Sequence, residues 1–479
     1  MELLLLERKR NKSFVISRIM LFIPPFSLGG ELFSIYLSKK IDLQEGTYYE
    51  KNITSSHYWG GPVGIAAAAH LVKRNESFIL FESGKEIGTN FINYGHVRLF
   101  SPWEYNIDQA AKELLQKYNI PLPPKDELPL GEEIVSKYLK PLTELPELKP
   151  YIHVNSPVLH VGKKGFDKVK TKGRDQAPFV IRVKVNNSEE KIYEAKAVID
   201  ATGTWQNPNP LNAEGLITDA EKKISNQIYY GIPDILNRDR NRYINKTVAV
   251  VGSGHSAVNT LLDLTQLKEQ TENTEIIWIL RKQDITEVFG GEGNDQLPAR
   301  GQLGTRLRGL LENGLIKAYP STFIENIAPT SDGKLNIFGF QQQEQKIFKD
   351  VDEIIANTGA RPDFQFLKEI RHTFDSALEC VPDLANLIDP NIHSCGTVRP
   401  HGEKELRQPE KNFYIIGSKS YGRAPTFLLA TGYEQARSVV AYITGDMESA
   451  GRVELKLPET GVCKLTPKPS VAKTSCCCD

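Results

Sequence analysis

The segment that most constrains the fold is an apolar strand that runs directly into a glycine-rich turn and a helix. Thr247-Val248-Ala249-Val250-Val251 is followed at once by Gly252-Ser253-Gly254-His255-Ser256-Ala257. This order binds the pyrophosphate of a dinucleotide, because glycine permits a tight turn and the helix start offers unpaired N–H groups. Ala257 replaces the third glycine of the pattern and is small enough for the helix to pack on the strand. The segment predicts a Rossmann-type nucleotide-binding unit.

The residue after the next strand bears on the choice of nucleotide. The apolar run 276–280 ends in Arg281 and Lys282. A carboxylate there would bind the ribose of NAD, whereas a guanidinium can bind the 2′-phosphate of NADP. We therefore predict NADPH; the alternative is that Arg281 is a surface residue at a strand end.

A second and less complete glycine turn occurs earlier in the chain. Gly60-Gly61-Pro62-Val63-Gly64 precedes a run of small residues, and the strand 78–81 ends in Glu82, where an acid can bind ribose hydroxyls. Trp59 stands in the place of the first glycine, and residues 49–58 are not apolar. An ordinary Gly-Pro turn explains this segment equally well. We expect no native strand to lead into it.

An internal repeat follows from how the two units close. Each ends with an apolar strand and a Thr-Gly pair, Thr202-Gly203 in the first and Thr358-Gly359 in the second. The chain then returns to an apolar strand that runs into Gly417-Ser418, and a helix is predicted over 427–444. This return is typical of a first domain that is completed after a second has been inserted into it.

Composition narrows the class of protein. The 59 lysines and arginines balance 59 aspartates and glutamates, so we predict no nucleic-acid partner. Residues 14–36 lean apolar but contain Arg18 and Glu31, so no integral membrane span is predicted, although a targeting segment remains an alternative. The 6 cysteines suit a reducing compartment, and a cytoplasmic location is expected. The sequence carries no signal for the oligomeric state.

These motifs resemble the two-dinucleotide-binding FAD/NAD(P) flavoprotein superfamily, which includes flavin-containing monooxygenases and pyridine nucleotide-disulfide oxidoreductases. The resemblance spans roughly residues 58–446. It implies FAD at the first glycine turn and NADPH at the second. The cofactor-binding residues that it implies, together with candidates near the flavin, are Gly60, Gly61, Pro62, Gly64, Glu82, Arg98, Trp103, Thr202, Gly203, Gly252, Ser253, Gly254, His255, Ser256, Ala257, Arg281, Thr358, Gly359, Gly417 and Ser418.

The predicted fold is α/β, a FAD-binding Rossmann-like domain with an inserted NAD(P)-binding Rossmann-like domain. The predicted parts are an extension that is poorly ordered or foreign to the fold (1–57), the first part of the FAD domain (58–235), the NAD(P) domain (236–372), the completing part of the FAD domain (373–450) and a flexible tail (451–479).

The resemblance implies that NADPH passes a hydride to FAD, and that electrons continue to oxygen or a small-molecule acceptor. A monooxygenase-like enzyme is favoured. One alternative is a flavin-dependent reductase of a disulfide or metalloid-thiol substrate, and another is a catalytically silent nucleotide-binding protein. Two departures weaken the subfamily assignments: the F-x-G-x-x-x-H fingerprint is absent at 228–234, and the chain has no Cys-x-x-Cys pair.

The catalytic residues are left open, with three candidates. Arg98 or Arg423 near the flavin would stabilise negative charge, and a structural ion pair is the alternative for each. Cys395 would serve a single-thiol mechanism if its pKa were lowered, and an unreactive thiol is the alternative. No metal site is predicted, except that the tail thiols Cys476, Cys477 and Cys478 suit soft ions or a thiol relay.

Overall fold

The computed structural model describes residues 49–58, 61–186, 188–295, 297–391 and 398–455, and for 49–58 it describes the backbone alone. All of these residues from Glu50 onward fall in one compact unit. The strands are β1 Tyr49–Tyr58, β2 Phe78–Phe81, β3 Ile152–His153, β4 Val158–Lys163, β5 Phe179–Val185, β6 Glu189–Asp200, β7 Ile228–Tyr230, β8 Thr247–Val251, β9 Glu275–Ile279, β10 Lys317–Tyr319, β11 Thr322–Pro329, β12 Leu335–Gln341, β13 Glu344–Val351, β14 Glu353–Ala356 and β15 Phe413–Ile415. The α-helices are α1 Pro62–Lys73, α2 Thr89–Asn93, α3 Trp103–Asn106, α4 Gln109–Lys117, α5 Gly131–Glu133, α6 Lys140–Thr143, α7 Asp219–Lys223, α8 Arg240–Tyr243, α9 His255–Lys268, α10 Pro298–Glu312, α11 Ala385–Ile388, α12 Glu403–Leu406, α13 Leu429–Ile443 and α14 Met447–Gly451.

The first sheet has the strand order β3-β2-β1-β6-β5-β4, and β15 also pairs with β6. Its β1–β2, β2–β3 and β6–β15 pairs are parallel. The β4–β5 and β5–β6 pairs are antiparallel. The long strand β6 takes part in both kinds of pairing. Its first residues pair with β5 in antiparallel orientation, and its last residues, Val198 to Asp200, pair with β15 in parallel orientation.

The structure contradicts the expectation that no strand leads into the first glycine turn. Strand β1 lies between β2 and β6, and its last residue, Tyr58, is in register with Phe81 of β2. Strand β1 was not predicted because its sequence is polar, whereas a central parallel strand is normally a run of apolar residues. Ladder hydrogen bonds are made by the backbone, so neighbouring strands can override a weak local propensity. The last residues of the predicted extension thus belong to the sheet.

Helix α1 follows this strand and is buried over residues 62–71. Pro62 suits the first helical position, where no N–H partner is needed. Ala66 to Ala69 are each 0% exposed, and such small side chains allow the helix to be enclosed on all sides. Helix α13 packs against it closely: a Cβ on Gly432 would lie 2.5 Å from a methyl carbon of Val63.

The second sheet has the order β10-β9-β8-β14-β7, and every pair in it is parallel. A separate antiparallel sheet, β11-β12-β13, belongs to the same stretch of chain. Because all of these strands fall between β6 and β15, the second unit is an insertion in the first, and the predicted α/β architecture is confirmed. Strand β7 lies in this second sheet, although the predicted boundary assigned it to the first domain.

The two chain segments that connect the domains are hydrogen-bonded to each other, and we call them the paired linkers (residues 207–209 and 359–361). The N–H of Asn209 donates to the Gly359 carbonyl at 2.9 Å, and the N–H of Arg361 donates to the Asn207 carbonyl at 2.9 Å. Pro208 and Ala360 form an isolated bridge between them. The inserted domain therefore leaves and rejoins the first domain at one place.

Among the described residues, none of the helices combines the length and apolar character required to span a bilayer.

Candidate nucleotide-binding sites

Four predicted segments meet at the carboxyl edge of the first sheet. Gly61 follows β1, Glu82 follows β2, and Thr202-Gly203 and Gly417-Ser418 follow the paired strands β6 and β15. A Cβ on Gly203 would lie 3.2 Å from the Ser418 hydroxyl oxygen, so these two turns are in contact. Ligands of open α/β sheets bind at this edge.

The start of α1 offers space for an anion. Gly61 is the residue that precedes the helix, and it has no side chain to cap the free N–H groups. A Cβ on Gly61 would meet no described atom within 4 Å. Free N–H groups and the helix dipole favour a pyrophosphate at such a position. The residues present therefore fit a dinucleotide here.

Glu82, the residue predicted to bind a ribose, follows β2 at the carboxyl edge of the first sheet. Its side chain is 2% exposed. Its Oε1 accepts a hydrogen bond from the Gly84 N–H at 2.6 Å and lies 3.4 Å from the Ser83 hydroxyl. These donors fix the carboxylate at the end of β2.

A buried polar network that the sequence did not predict holds the Gly417 turn. Gly417 has φ +73°, and its N–H donates to Oε1 of Gln435 at 2.7 Å. The Ser420 hydroxyl donates to the Gly417 carbonyl at 2.7 Å. Nε2 of Gln435 lies 2.9 Å from Nε2 of His401, and burial lowers the pKa of that histidine. Gln435 lies within helix α13, where no local pattern distinguishes it from a surface glutamine.

The second glycine turn has the geometry that the sequence predicted. Gly252 follows β8 with φ +133°, and a Cβ there would lie 2.2 Å from the carbonyl oxygen of Asn357. Its own carbonyl accepts a hydrogen bond from the indole N–H of Trp278 at 2.7 Å. Gly254 precedes α9, and a Cβ on it would meet no described atom within 4 Å. This turn also leaves room for a pyrophosphate at a helix start.

The other predicted residues of this site share the same sheet edge. Strand β8 pairs with β9, which precedes Arg281, and with β14, which precedes Thr358-Gly359. Arg281 is exposed, and its Nη1 lies 3.4 Å from the Ala213 carbonyl. Its neighbour Lys282 is instead paired with Glu287 at 3.6 Å. Within the described residues Arg281 has no ion-pair partner, so its guanidinium is available for a phosphate.

His255, in the second turn, contacts the first domain. Its ring centroid lies 5.2 Å from that of Phe100, and the Arg300 guanidinium lies 5.8 Å from the Phe100 ring. His255 is exposed, while desolvation by the atoms packed around its ring, followed by the positive charge of Arg300, lowers its pKa from the ordinary value. The histidine is therefore neutral at neutral pH and can donate or accept a hydrogen bond at the turn.

Among the described residues, no hydrogen bond or ion pair connects the glycine turns to Arg98, Arg423 or Trp103, the residues predicted to lie near the flavin. Arg98 is exposed and donates to the Leu128 carbonyl at 2.6 Å, and Arg423 is exposed, with no side-chain hydrogen bond among the described residues. Trp103 is 2% exposed and packs in the core of the first domain. Gly60, Cys395 and the tail thiols Cys476, Cys477 and Cys478 lie outside the described residues.

Cys380 is the free cysteine within the described residues, and it is 1% exposed. Burial, reinforced by Asp375, raises the pKa of its thiol to about 12. Because only the thiolate is nucleophilic, we expect iodoacetamide at pH 8 to leave Cys380 unmodified in the folded protein and to modify it after denaturation, as measured by peptide mass spectrometry. Cys380→Ala is expected to leave any thiol-dependent turnover unchanged; a clear loss would contradict this assignment.

The comparisons with known proteins agree with this geometry. A model of the family described as pyridine nucleotide-disulphide oxidoreductase matches residues 60–386, and the chain belongs to this family. A curated ferredoxin–NADP reductase of Lactiplantibacillus plantarum is 24% identical over 389 residues, which cover 79% of this chain and 93% of that protein.

Two solved structures share the fold. A bacillithiol disulfide reductase of Bacillus cereus has a TM-score of 0.59 at 18% identity, covering 82% of this chain and 98% of that one. A cadaverine monooxygenase of Erwinia amylovora, solved with FAD bound, has a TM-score of 0.57 at 13% identity, covering 88% and 100%. The predicted superfamily and the oxidoreductase class are confirmed. The curated relative is named for NADP and the monooxygenase was solved with FAD, so the predicted cofactors match those of proteins similar to this chain.

Proposed function

We propose that this chain is an NADPH-dependent FAD oxidoreductase in which FAD binds at the Gly61 turn and NADPH at the Gly252–Ala257 turn. The observation that carries the proposal is the pair of helix starts, at Gly61 and Gly254, each with open space at the carboxyl edge of the parallel strands of its own sheet. Paired linkers join the two domains, and Arg281 follows β9 at the carboxyl edge of the second sheet, where we propose that it binds the 2′-phosphate.

The protein's own groups have distinct tasks in this reaction. The N–H groups at the start of α1 bind the FAD pyrophosphate, and Glu82 binds its ribose. Gly254 and Arg281 hold the pyrophosphate and the 2′-phosphate of NADPH. When bound, FAD supplies the redox chemistry by accepting a hydride from NADPH and passing two electrons to an acceptor. The neutral His255 contacts Phe100 of the first domain, so it orients the second turn against the first domain without adding charge.

For the acceptor, we favour oxygen and a small-molecule substrate, as in a monooxygenase. Solved structures of the same fold include both a monooxygenase and a disulfide reductase, so the choice between the two acceptors rests on the thiols of this chain. A disulfide reductase is less well supported, because dithiol exchange needs two accessible thiols. The sequence has no Cys-x-x-Cys pair, and Cys380, the cysteine among the described residues, is buried. Mixing the NADPH-reduced protein with air-saturated buffer and, separately, with a disulfide would distinguish the two, since the first proposal requires rapid oxygen consumption and the second requires thiol production.

Replacing Gly61 by alanine tests where FAD binds. The added methyl group enters the space at the helix start, so we expect the FAD dissociation constant to rise at least about 10-fold, since close backbone approach to the phosphate is lost. The stability of the FAD-free protein should change by less than about 0.5 kcal/mol, because the methyl group meets no described neighbour. Flavin fluorescence titration and thermal unfolding measure the two quantities.

Gly309→Ala is the matched control. Gly309 lies within α10, and a Cβ there also meets no described atom within 4 Å. The FAD affinity of this variant should equal that of the wild type. Unchanged FAD affinity in Gly61→Ala would place the pyrophosphate elsewhere, and a wild-type protein that binds no flavin would support a catalytically silent nucleotide-binding protein.

A further inference from the structure

A buried lysine lies beside the carboxyl edge of the first sheet, where FAD is proposed to bind. We call this edge, with its Thr202-Gly203 and Gly417-Ser418 turns, the FAD edge. Lys419 and Asp200 are both 0% exposed in their side chains, and Nζ of Lys419 lies 2.7 Å from Oδ2 of Asp200. Nζ also donates to the Thr202 hydroxyl at 3.0 Å and to the Asp363 carbonyl at 2.6 Å. An ammonium has three N–H donors, and here each has an acceptor. Lysine is almost never fully buried unless it is paired in this way.

The acceptors of Lys419 belong to different parts of the chain. Asp200 is the last residue of β6 and Thr202 lies just after it, whereas Asp363 lies two residues beyond Arg361 of the paired linkers. Lys419 itself follows Gly417-Ser418, the turn after β15. A single ammonium group thus joins both turns of the FAD edge to the segment that returns from the NADPH domain.

Further contacts make this junction rigid. Oδ1 of Asp200 accepts a hydrogen bond from the Thr202 N–H at 3.0 Å, so one carboxylate holds both the lysine and the Thr-Gly turn. The rings of Phe364 and Phe366 lie 5.1 and 4.6 Å from the ammonium nitrogen. Aromatic rings at these distances attract a cation and exclude water from it.

Stability alone does not account for a lysine at this position. Desolvation of two buried charges offsets most of their attraction, and apolar residues of similar size often serve stability as well. What an apolar side chain cannot do is fix the directions of three acceptors at once. We infer that Lys419 is a positioning residue for FAD binding. It holds the Thr202-Gly203 turn, the Gly417-Ser418 turn and the chain segment at Asp363 in the arrangement that binds the flavin. This inference rests on the proposed function.

The same domain contains a matched control pair. Arg174 and Glu410 are each 1% exposed, and Nη2 of Arg174 lies 2.7 Å from Oε2 of Glu410. Arg174 also donates to the carbonyls of Asp167 and Glu369 at 2.7 Å. This pair joins distant segments as Lys419 does, but within the described residues it bonds to neither turn of the FAD edge.

The test compares two neutral double variants, Lys419→Met with Asp200→Asn and Arg174→Met with Glu410→Gln. Both remove the donors of buried carbonyl acceptors, so both should lower the Tm of the FAD-free protein. The Lys419 variant should also raise the FAD dissociation constant at least about 30-fold, because misplaced turns lose several phosphate and ribose contacts together, whereas the Arg174 variant should bind FAD within about 3-fold of wild type, as expected of independent sites. Equal effects of the two variants on FAD affinity would overturn the inference.

A second measurement covers the case in which the methionine variant does not fold. Lys419→Gln with Asp200→Asn keeps a neutral hydrogen-bonding pair of similar size, and its FAD affinity should fall at least about 10-fold, because an amide has two donors where the ammonium has three. Thr202→Val should weaken FAD binding in the wild type and have a smaller effect in this background, since the hydroxyl acts through Lys419. Additive effects would contradict a shared role.

If the wild type itself binds no FAD, the proposed function fails. If the wild type binds FAD and the Lys419 variants bind it equally well, this inference alone is refuted.

Discussion

Gly252→Ala is expected to abolish NADPH-dependent reduction and to destabilise the inserted domain. At φ +133° a side chain is strained, and such strain costs about 1–3 kcal/mol. The added Cβ would also lie 2.2 Å from the Asn357 carbonyl oxygen, a backbone atom that cannot rotate away. Asn357 is itself held by a hydrogen bond from its N–H to the Val251 carbonyl at 2.8 Å, so relief requires separating β14 from β8. We expect a total loss of about 3 kcal/mol or more in the free energy of unfolding.

Gly254→Ala is the matched comparison for this prediction. Gly254 has φ −86°, and a Cβ on it meets no described atom, so the variant should fold with wild-type stability and lose NADPH affinity only. Thermal unfolding of the FAD-free proteins and NADPH titration separate the two effects. A Gly252→Ala protein with the wild-type Tm would show that the turn can adjust and would contradict the close approach to Asn357.

Arg281→Ala is expected to remove the preference for NADPH over NADH. A charge-assisted hydrogen bond contributes about 1.5–3 kcal/mol, so kcat/KM for NADPH should fall about 10- to 150-fold. The value for NADH should stay close to wild type, because that nucleotide has no 2′-phosphate. The guanidinium is exposed, with only a long contact of 3.4 Å to the Ala213 carbonyl, so the substitution removes little from the folded protein.

Lys282→Ala provides the control for Arg281. It removes a cation one residue away that is already paired with Glu287, so the nucleotide preference should change by less than about 3-fold. Steady-state rates with both nucleotides at low ionic strength measure the ratio. If Arg281→Ala and Lys282→Ala have the same effect, the 2′-phosphate is bound by other residues.

The second nucleotide site could be predicted from sequence because its signals are local. The apolar strand, the Gly252 turn and Arg281 follow one another within a short stretch, and each follows from backbone geometry or charge. The first site was harder to predict, since β1 has a polar sequence and its place depends on pairing with β2 and β6. The position of β1 depends on the pairing of the whole first sheet, which no local segment of the sequence encodes.

The buried polar contacts of the FAD edge could not be predicted at all. Lys419 meets Asp200 and Asp363 across long stretches of chain, and no spacing rule connects those residues. Gln435 on α13 is equally undistinguished in sequence, yet it accepts the N–H of Gly417. The charged pair at this edge, Lys419 and Asp200, joins residues 219 positions apart in the chain.

The paired linkers also have an evolutionary and practical consequence. Because residues 207–209 and 359–361 lie side by side, the inserted domain begins and ends at nearly the same point. A module with adjacent ends can be gained, lost or exchanged without moving the ends of its host. The first domain could therefore be closed by a short connection between Asn207 and Arg361, and the excised segment could be joined to other proteins as a portable nucleotide-binding unit.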